Sequence, residues 1–249
     1  IEQYNPDMDL ELVIKAYNYA QQAHEGQKRV SGDPYINHPA HVAMILSELE
    51  LDLKTIVAGL LHDVVEDTTS AMQDIEREFG SEIAHLVDGV TKLGRISYQT
   101  KEEEQAENLR KMFIAMAKDI RVILIKLADR VHNMRTLGYL PEVKRKEKAK
   151  ETLEIYAPIA HRLGMSKIKW ELEDLALRHL DPKGYYELVE RVAKKRLERE
   201  EYIKEVITEL REKLNEMGIS GKIEGRPKHF YSIYKKMVYQ NKTFEQIFD

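Results

Sequence analysis

A histidine and three carboxylates fall within six positions of the stretch LLHDVVEDTT, residues 60–69. His62 and Asp63 are neighbours on a predicted helix, where both can lean toward one point. Glu66 and Asp67 follow one turn later. Leucines and valines flank the His-Asp pair, and a charged group beside a core is costly unless something compensates it. We therefore expect this pair to be buried with a partner, whereas the two later carboxylates equally suit a solvated face.

Asp129 interrupts the apolar segment VILIKLADRVHNM, where a buried carboxylate also needs a partner. The simplest partner is a cation of the same helix, Lys126 or Arg130, in an ion pair at the helix surface. Asn133 and Thr136 follow four and seven residues later, so one helix face carries a carboxylate, an amide and a hydroxyl. A polar stripe of this kind within an apolar helix predicts the wall of a cavity.

His38 is the third piece, at a loop-to-helix junction before Pro39, where a lone histidine is more often structural. Taken with His62 and the two aspartates, it completes a mixed set of imidazoles and carboxylates. Such a set suits Mn²⁺, Fe²⁺ or Zn²⁺, and the absence of cysteine disfavours a structural zinc site. A metal-bound water is a nucleophile at neutral pH, and nearby acids can orient it or move protons. This combination indicates hydrolase chemistry.

The composition sets limits on the class of protein. The 249 residues are 43% hydrophobic and 33% charged, which is typical of a globular chain with an ample core. The net charge of −4 argues against a dedicated DNA-binding protein. Because no apolar run approaches the roughly 20 residues of a membrane span and no signal peptide is evident, a cytoplasmic location is expected. The start at Ile1 and the end in FEQIFD predict part of a longer protein.

The elements that must position these residues are predicted to be almost entirely helical. Apolar residues recur at helical spacing in DLELVIKAYNYAQQAH, and Pro39 suits the first turn of the next helix. One helix is expected over LDLKTIVAGLLHDVVED, with a later break near Gly80 and a kink at Pro158. DPKGYY is predicted to be a loop and GKIEGR a short strand. The change of period near residue 220 indicates that a second domain begins there.

Longer motifs around these residues resemble a known family. A histidine, an adjacent His-Asp pair and a distant aspartate on a later helix form the signature of the HD phosphohydrolase superfamily. The segments SGDPYINHP, AGLLHDVVEDT, GVTKL, IKLADRVHNMRTL and LEIYAPIAHRLGM are similar to the hydrolase half of the RelA/SpoT family. These long bifunctional enzymes make and destroy the alarmone (p)ppGpp. GRPKHFYSIYKKM resembles the start of their synthetase domain, so the resemblance covers the whole chain.

The resemblance implies an all-α fold class, with an HD-domain helical bundle, a helical linker and the truncated beginning of an α/β synthetase domain. The expected boundaries are 1–150 for the hydrolase domain, 151–181 for the linker and 182–249 for the truncated synthetase domain. The implied reaction removes the 3′-pyrophosphate of ppGpp or pppGpp, giving GDP or GTP and pyrophosphate. Mn²⁺ is the ion usual in the family, although other divalent ions also fit.

The resemblance also assigns roles to individual residues. The implied metal ligands are His38, His62, Asp63 and Asp129, and the implied catalytic pair is Glu66 and Asp67. The implied substrate-binding residues are Arg29 beside the guanine, Ser31, Asn133 and Thr136 in the nucleoside pocket, and Tyr35 in support of the loop. Val30 departs from the family pattern, which often has a second basic residue at this position.

The synthetase portion is incomplete by the same comparison. Arg226, Lys228 and Lys235 resemble early basic residues of its nucleotide site, which meet triphosphate oxygens. The catalytic acids of that domain would lie beyond the end of the chain, so no alarmone synthesis is expected. Any contact with the ribosome would require further C-terminal regions, and neither DNA nor a membrane is an expected partner.

Two alternatives stay open at this point. An HD nucleotidase acting on other nucleotides would use the same chemistry, although the SGDPYINHP and HNMRTL segments argue against it. A regulatory module would bind the alarmone without cleaving it, but all four implied ligand positions and the Glu-Asp pair are intact.

Overall fold

The computed structural model describes residues 9–94, 110, 114, 118–194, 196–223, 225 and 229–248. Helices dominate these residues and no strand occurs among them, which confirms the predicted all-α bundle. In the segment GKIEGR the described residues, 221–223 and 225, do not form the short strand expected there. The chain divides into two compact units, residues 1–172 and 173–249.

The first unit is a bundle of helices. Its helices are α1 (Leu10–Ala23), α2 (Asn37–Glu48), α3 (Leu53–Leu61), α4 (Val64–Asp67), α5 (Met72–Phe79), α6 (Ser81–Gly94), α7 (Ile120–Arg135), α8 (Glu142–Glu151) and α9 (Ala157–Arg162). A 3₁₀ turn spans Leu137–Tyr139, and a π-helical turn, Thr152–Tyr156, precedes Pro158. A short π-helical turn re-registers the helix there, which accommodates the proline predicted to kink it.

Local signals in the sequence account for several helix ends. Asp9 caps α1 by accepting from the backbone N–H groups of Glu11 and Leu12. Pro39 lies in the first turn of α2, as predicted. Gly80 separates α5 from α6 with a φ of 85°, a conformation that residues with a Cβ rarely adopt.

α3 and α7 form the centre of this bundle and carry much of the candidate site. Every residue of α3 from Thr55 to Leu61 is buried, and α7 buries an apolar face from Val122 to Met134. α2 packs against both helices. Polar side chains that project from these helices are therefore held by a rigid apolar framework.

The single helix predicted over LDLKTIVAGLLHDVVED is in fact two. α3 ends at Leu61, His62 and Asp63 form a turn, and α4 begins at Val64. The backbone of both turn residues stays in the right-handed helical region, so the side chains keep roughly the helical directions. The break in the helix therefore falls on the pair that the sequence singles out.

The second unit is also helical. α10 (Ser166–Leu180) crosses the boundary, and the unit continues with α11 (Pro182–Lys194), α12 (Arg196–Glu216), α13 (Phe230–Tyr239) and α14 (Glu245–Phe248). DPKGYY is not a loop, because α11 begins at Pro182 and the Asp181 carboxylate accepts from the N–H of Gly184 at 2.9 Å. An apolar cluster of Leu177, Leu188, Ile233, Phe244 and Ile247 forms its core.

Candidate metal centre and adjoining cavity

Three predicted ligands meet in one buried cluster. His38, His62 and Asp129 are 1%, 1% and 5% exposed, and each offers a ligand atom within 4.8 Å of the others. Asp63 borders the same point, with Oδ2 3.4 Å from His38 Nε2 and Oδ1 3.0 Å from His62 Nε2. α2, the α3–α4 turn and α7 thus bring together the four residues that the resemblance names as ligands.

The orientation of His62 suits a cation. Its Nδ1 lies 2.8 Å from the carbonyl oxygen of Gly59, and because a carbonyl only accepts, Nδ1 carries the proton. The buried Nε2 makes no hydrogen bond to any described residue. Burial lowers the pKa of His62, but the Asp63 carboxylate more than offsets this and raises the pKa to about 9. Nε2 therefore faces a site of negative potential that a divalent ion can occupy in place of a proton.

Both carboxylates of the cluster are kept ionised by their neighbours. Burial would raise the pKa of Asp129, but Lys126 and then His38 hold it well below its usual range. Burial also opposes ionisation of Asp63, whose pKa the two cluster imidazoles hold well below the usual range. Imidazoles and ionised carboxylates are the donors that suit a borderline divalent ion, so the residues present fit such an ion.

Each carboxylate oxygen of Asp129 has its own partners. Lys126 donates to Oδ2 at 2.8 Å, so the predicted ion pair with this lysine forms, but it is largely buried and not at the helix surface. Oδ1 meanwhile lies 3.2 Å from His38 Nε2 and accepts from Asn133 Nδ2 at 2.5 Å. Arg130, the other candidate partner, pairs with Glu151 instead. The ion pair thus orients the carboxylate toward the imidazoles.

Glu66 and Asp67 lie on α4, which follows the cluster residue Asp63 directly, and both are exposed. The hydroxyl oxygen of Tyr35 lies 2.5 Å from Asp67 Oδ2 and 2.9 Å from Asp63 Oδ2. Burial, followed by the charge of Asp63, raises the pKa of Tyr35 well above its usual range, so the hydroxyl keeps its proton. Tyr35 therefore links the buried cluster to the exposed carboxylate of Asp67.

A cavity of about 460 Å³ adjoins the cluster. Asp129, a member of the cluster, and Tyr35, which bonds to Asp63, both line it. The predicted substrate-binding residues Arg29, Ser31, Tyr35, Asn133 and Thr136 all line it. The guanidinium of Arg29 donates to Asn133 Oδ1 at 2.8 Å, which joins the loop before α2 to α7. The polar stripe on α7 is thus one wall of a cavity, as its spacing predicts.

Further side chains line the cavity or contact the cluster, and Tyr139, Lys148 and His132 among them had no predicted role. Lys148 and Tyr139 line the cavity, and Lys28, Lys126 and Arg130 complete a set of five basic lining residues with Arg29 and Lys148. His132 lies under the cluster, with Nδ1 2.7 Å from Nδ1 of His38. Its sequence signal is weak, a histidine three residues after Asp129 on an apolar helix.

The predicted synthetase residues give less information. Arg226 and Lys228 lie outside the described residues. Lys235 is an exposed residue of α13 in the second unit. No helix in the described parts of the chain has both the length and the apolar character needed to cross a membrane.

Residues 16–166 match the family described as HD domain. A solved structure described as a metazoan ortholog of SpoT that hydrolyses ppGpp has a TM-score of 0.54 and 28% sequence identity. That match covers 68% of this chain and 96% of the other.

Curated relatives match over nearly the full chain. A GTP pyrophosphokinase of Myxococcus xanthus is 54% identical over 100% of this chain and 33% of its own length. The bifunctional (p)ppGpp synthase/hydrolase SpoT of Escherichia coli is 51% identical over 100% of this chain and 36% of its own. A guanosine-3′,5′-bis(diphosphate) 3′-pyrophosphohydrolase of Vibrio cholerae is 49% identical over 100% of this chain and 35% of its own length. The chain thus spans about one third of the length of these relatives.

Proposed function

Because the chain belongs to the HD-domain family, we propose that it hydrolyses the 3′-pyrophosphate of (p)ppGpp in a reaction that depends on a divalent metal ion. The single observation that carries this proposal is that the candidate metal cluster and the basic cavity share the residue Asp129. This carboxylate belongs both to the buried imidazole–carboxylate cluster and to the lining of a basic cavity. Curated relatives named for this hydrolysis support the choice of substrate.

The proposed metal ligands are His38, His62, Asp63 and Asp129, and the proposed ion is Mn²⁺. The buried Nε2 of His62, which faces the Asp63 and Asp129 carboxylates without a hydrogen bond of good geometry, and the ionised carboxylates support this assignment. When bound, the ion would supply Lewis acidity that lowers the pKa of a water molecule and withdraws charge from a phosphoryl oxygen.

Glu66 and Asp67 are proposed to handle the protons of the reaction. Water adds to the phosphorus bonded to the ribose 3′-oxygen, that P–O bond breaks, and the oxygen leaves with a proton as the 3′-hydroxyl. An exposed carboxylate beside the cluster can accept a proton from the water and return one to the leaving oxygen. The hydroxyl of Tyr35 holds Asp67 in position through its 2.5 Å contact.

The cavity is proposed to hold the nucleotide. Its five basic lining residues and single carboxylate favour a polyanion. Arg29 presents a planar guanidinium that can stack on guanine, and it is fixed by its hydrogen bond to Asn133. Ser31, Thr136 and the supporting Tyr35 complete the proposed pocket. Val30 is 72% exposed at the rim, and the neighbouring Lys28 would supply the basic group that this position lacks.

Further proposals concern the rest of the chain. We propose that residues 1–150 form the hydrolase domain, 151–181 a linker and 182–249 a truncated synthetase domain without activity. Arg226, Lys228 and Lys235 would then be remnants of a nucleotide site. A cytoplasmic location and guanine nucleotides as the partners complete the proposal.

The test is to incubate the chain with ppGpp and Mn²⁺ and to measure GDP and pyrophosphate. Release of both is expected, and removal of the ion with EDTA should stop it. Asp63→Ala and Glu66→Ala should abolish turnover, whereas Glu76→Ala, at an exposed site on α5, should leave it unchanged.

Three other outcomes would contradict parts of the proposal. Tight ppGpp binding without turnover would indicate a regulatory module. Preferential cleavage of dNTPs would indicate a nucleotidase. Formation of ppGpp from ATP and GDP would contradict the absence of synthetase activity.

A further inference from the structure

His132 is a buried histidine that has no role in the proposed mechanism. It lies on α7, is 7% exposed, and places Nδ1 2.7 Å from Nδ1 of His38. Two ring nitrogens at this distance form a hydrogen bond only if one is protonated and the other is not. The contact therefore couples the tautomer of one imidazole to that of the other.

The surroundings of His38 decide which ring donates. His38 Nε2 lies 3.2 Å from Asp129 Oδ1 and 3.4 Å from Asp63 Oδ2, on the side of the proposed ion. A cation is bound by the lone pair of Nε2, which leaves the proton of His38 on Nδ1. Nδ1 of His38 is then the donor, and Nδ1 of His132 must accept.

The environment of His132 favours this accepting role. The ring of His41 stacks on it, with centroids 4.9 Å apart and an interplanar angle of 24°. With the His38 proton on Nδ1, the 2.7 Å separation leaves Nδ1 of His132 room only as an unprotonated acceptor. A neutral imidazole can accept at Nδ1 while its proton sits on Nε2.

We propose that His132 is a positioning residue for the metal ion. It accepts a hydrogen bond from the Nδ1–H group of His38. This hydrogen bond fixes the tautomer of His38 in which the lone pair of Nε2 points toward the ion. This inference rests on the proposed metal site. Metal-bound histidines commonly donate to a carboxylate or a carbonyl instead. An imidazole gives the same orientation without adding charge to a cluster that already contains two ionised carboxylates.

The test compares two substitutions in the nucleotide-free protein. His132→Leu removes the acceptor and keeps an apolar group of moderate bulk, whereas His132→Gln offers an amide oxygen as a substitute acceptor. Titration calorimetry with Mn²⁺ should show about 10- to 100-fold weaker binding by His132→Leu. The Gln variant should bind within a few-fold of the unmutated chain, and His85→Leu, at an exposed site on α6, should bind equally well.

Equal affinity of His132→Leu and the unmutated chain would overturn the inference, as would an equal loss in the Leu and Gln variants. Should the Leu variant fail to fold, ¹⁵N NMR of the histidine rings in the unmutated, Zn²⁺-loaded chain gives an independent answer. Nδ1 of His132 is expected to be unprotonated, and a proton there would contradict the proposal.

These readouts separate the inference from the proposed function. Mn²⁺ binding without ppGpp hydrolysis would overturn the proposed function and leave the role of His132 standing on the affinities. ppGpp hydrolysis together with unchanged metal affinity in His132→Leu would overturn only the role of His132. Failure of the unmutated chain to bind Mn²⁺ would overturn both.

Discussion

One carboxylate in each unit, Asp129 buried and Asp174 half-buried, is stabilised in a different way. The side chain of Asp129 in the first unit is 7% exposed, and that of Asp174 in the second unit is 17% exposed. Despite burial, Lys126 and the cluster imidazoles hold the pKa of Asp129 well below its usual range. Asp174 instead accepts from the N–H of Tyr231 at 2.8 Å, and burial raises its pKa to about 6.

The two carboxylates differ chiefly in the charges that surround them, because the more deeply buried Asp129 is the one whose pKa is lowered. Asp129 is surrounded by groups that stabilise its charge, so it remains available to a cation at any physiological pH. Asp174 receives backbone hydrogen bonds at the N-terminus of α13, which is the work of a helix cap. Asp174 has an ionisable neighbour, His229, whose Nδ1 lies 3.7 Å from Oδ2. A sequestered acid therefore indicates a metal site only when several ionisable partners converge on it.

The largest effect is expected from making the first carboxylate neutral. Asp129→Asn removes an ionised ligand from the proposed metal site, and the loss of several kcal/mol of stabilisation should lower ppGpp hydrolysis by about 1000-fold. Initial rates of pyrophosphate release at high Mn²⁺ measure this. Asp174→Asn is the matched control and should keep the rate within about twofold. Comparable rates for the two variants would show that the ionised state of Asp129 does not contribute to hydrolysis.

Lys126→Met tests whether the balancing charge holds Asp129 in place. Without the ammonium, a buried carboxylate is left poorly compensated, and the free energy of unfolding in EDTA should fall by about 3 kcal/mol. Mn²⁺ should restore part of this loss, because the ion replaces the missing positive charge. Lys150→Met removes an exposed ion pair with Glu154 and should cost less than about 0.5 kcal/mol. Denaturant titrations that give equal losses for both variants would refute the distinction.

The sequence predicted the fold best where local patterns are strong. The helical periodicity of α1 and α7 and the break at Gly80 are confirmed, and the curated relatives confirm the resemblance to the RelA/SpoT family. The turn at His62 and Asp63 was missed because its backbone stays helical and its apolar neighbours keep the helical pattern. Its cause lies partly outside the segment, since Tyr35, 28 residues away, bonds to Asp63.

The loop expected at DPKGYY was wrong for a different reason. Proline and glycine close together suggest a turn, but proline is also suited to the first position of a helix. Asp181 supplies the cap that turns this run into the start of α11. A capping residue such as Asp181 is equally compatible with a turn, so local sequence signals alone do not distinguish a turn from the start of a helix.

For the candidate site, spacing along one helix predicted the polar stripe of α7 but not its partners. The contact between His132 and His38 joins residues 94 positions apart, and that between Arg29 and Asn133 spans 104. A single sequence contains no information on which side chains meet across such distances. The motif resemblance supplied part of that information, whereas His132 could be found only in three dimensions.

Tyr35→Phe asks how much of the first unit's carboxylate arrangement depends on hydrogen bonds alone. The substitution removes a hydroxyl within 2.5 Å of Asp67 and 2.9 Å of Asp63 while keeping the ring that stacks on His24. A hydrogen bond to a charged group contributes about 1.5–3 kcal/mol, so turnover should fall at least about tenfold. Steady-state rates at saturating Mn²⁺ and ppGpp measure the effect. An unchanged turnover number would show that the cluster charges position these carboxylates without the hydroxyl.

The smallest effect is expected in the second unit, from the pH dependence of stability. The folded-state pKa of Asp174, about 6, lies above the ordinary value of 3.8, so the native chain binds more protons than the unfolded chain between these pH values. Stability from this group is therefore fully present below about pH 4 and is lost as the pH rises through 6. Asp174→Asn keeps an acceptor for Tyr231 but does not titrate. The free energy of unfolding of the variant, relative to the unmutated chain, should rise by about 1–2 kcal/mol between pH 4 and pH 7. Denaturant titrations across this range would contradict the assignment if the difference stayed constant, since Asp174 would then be as well compensated as Asp129.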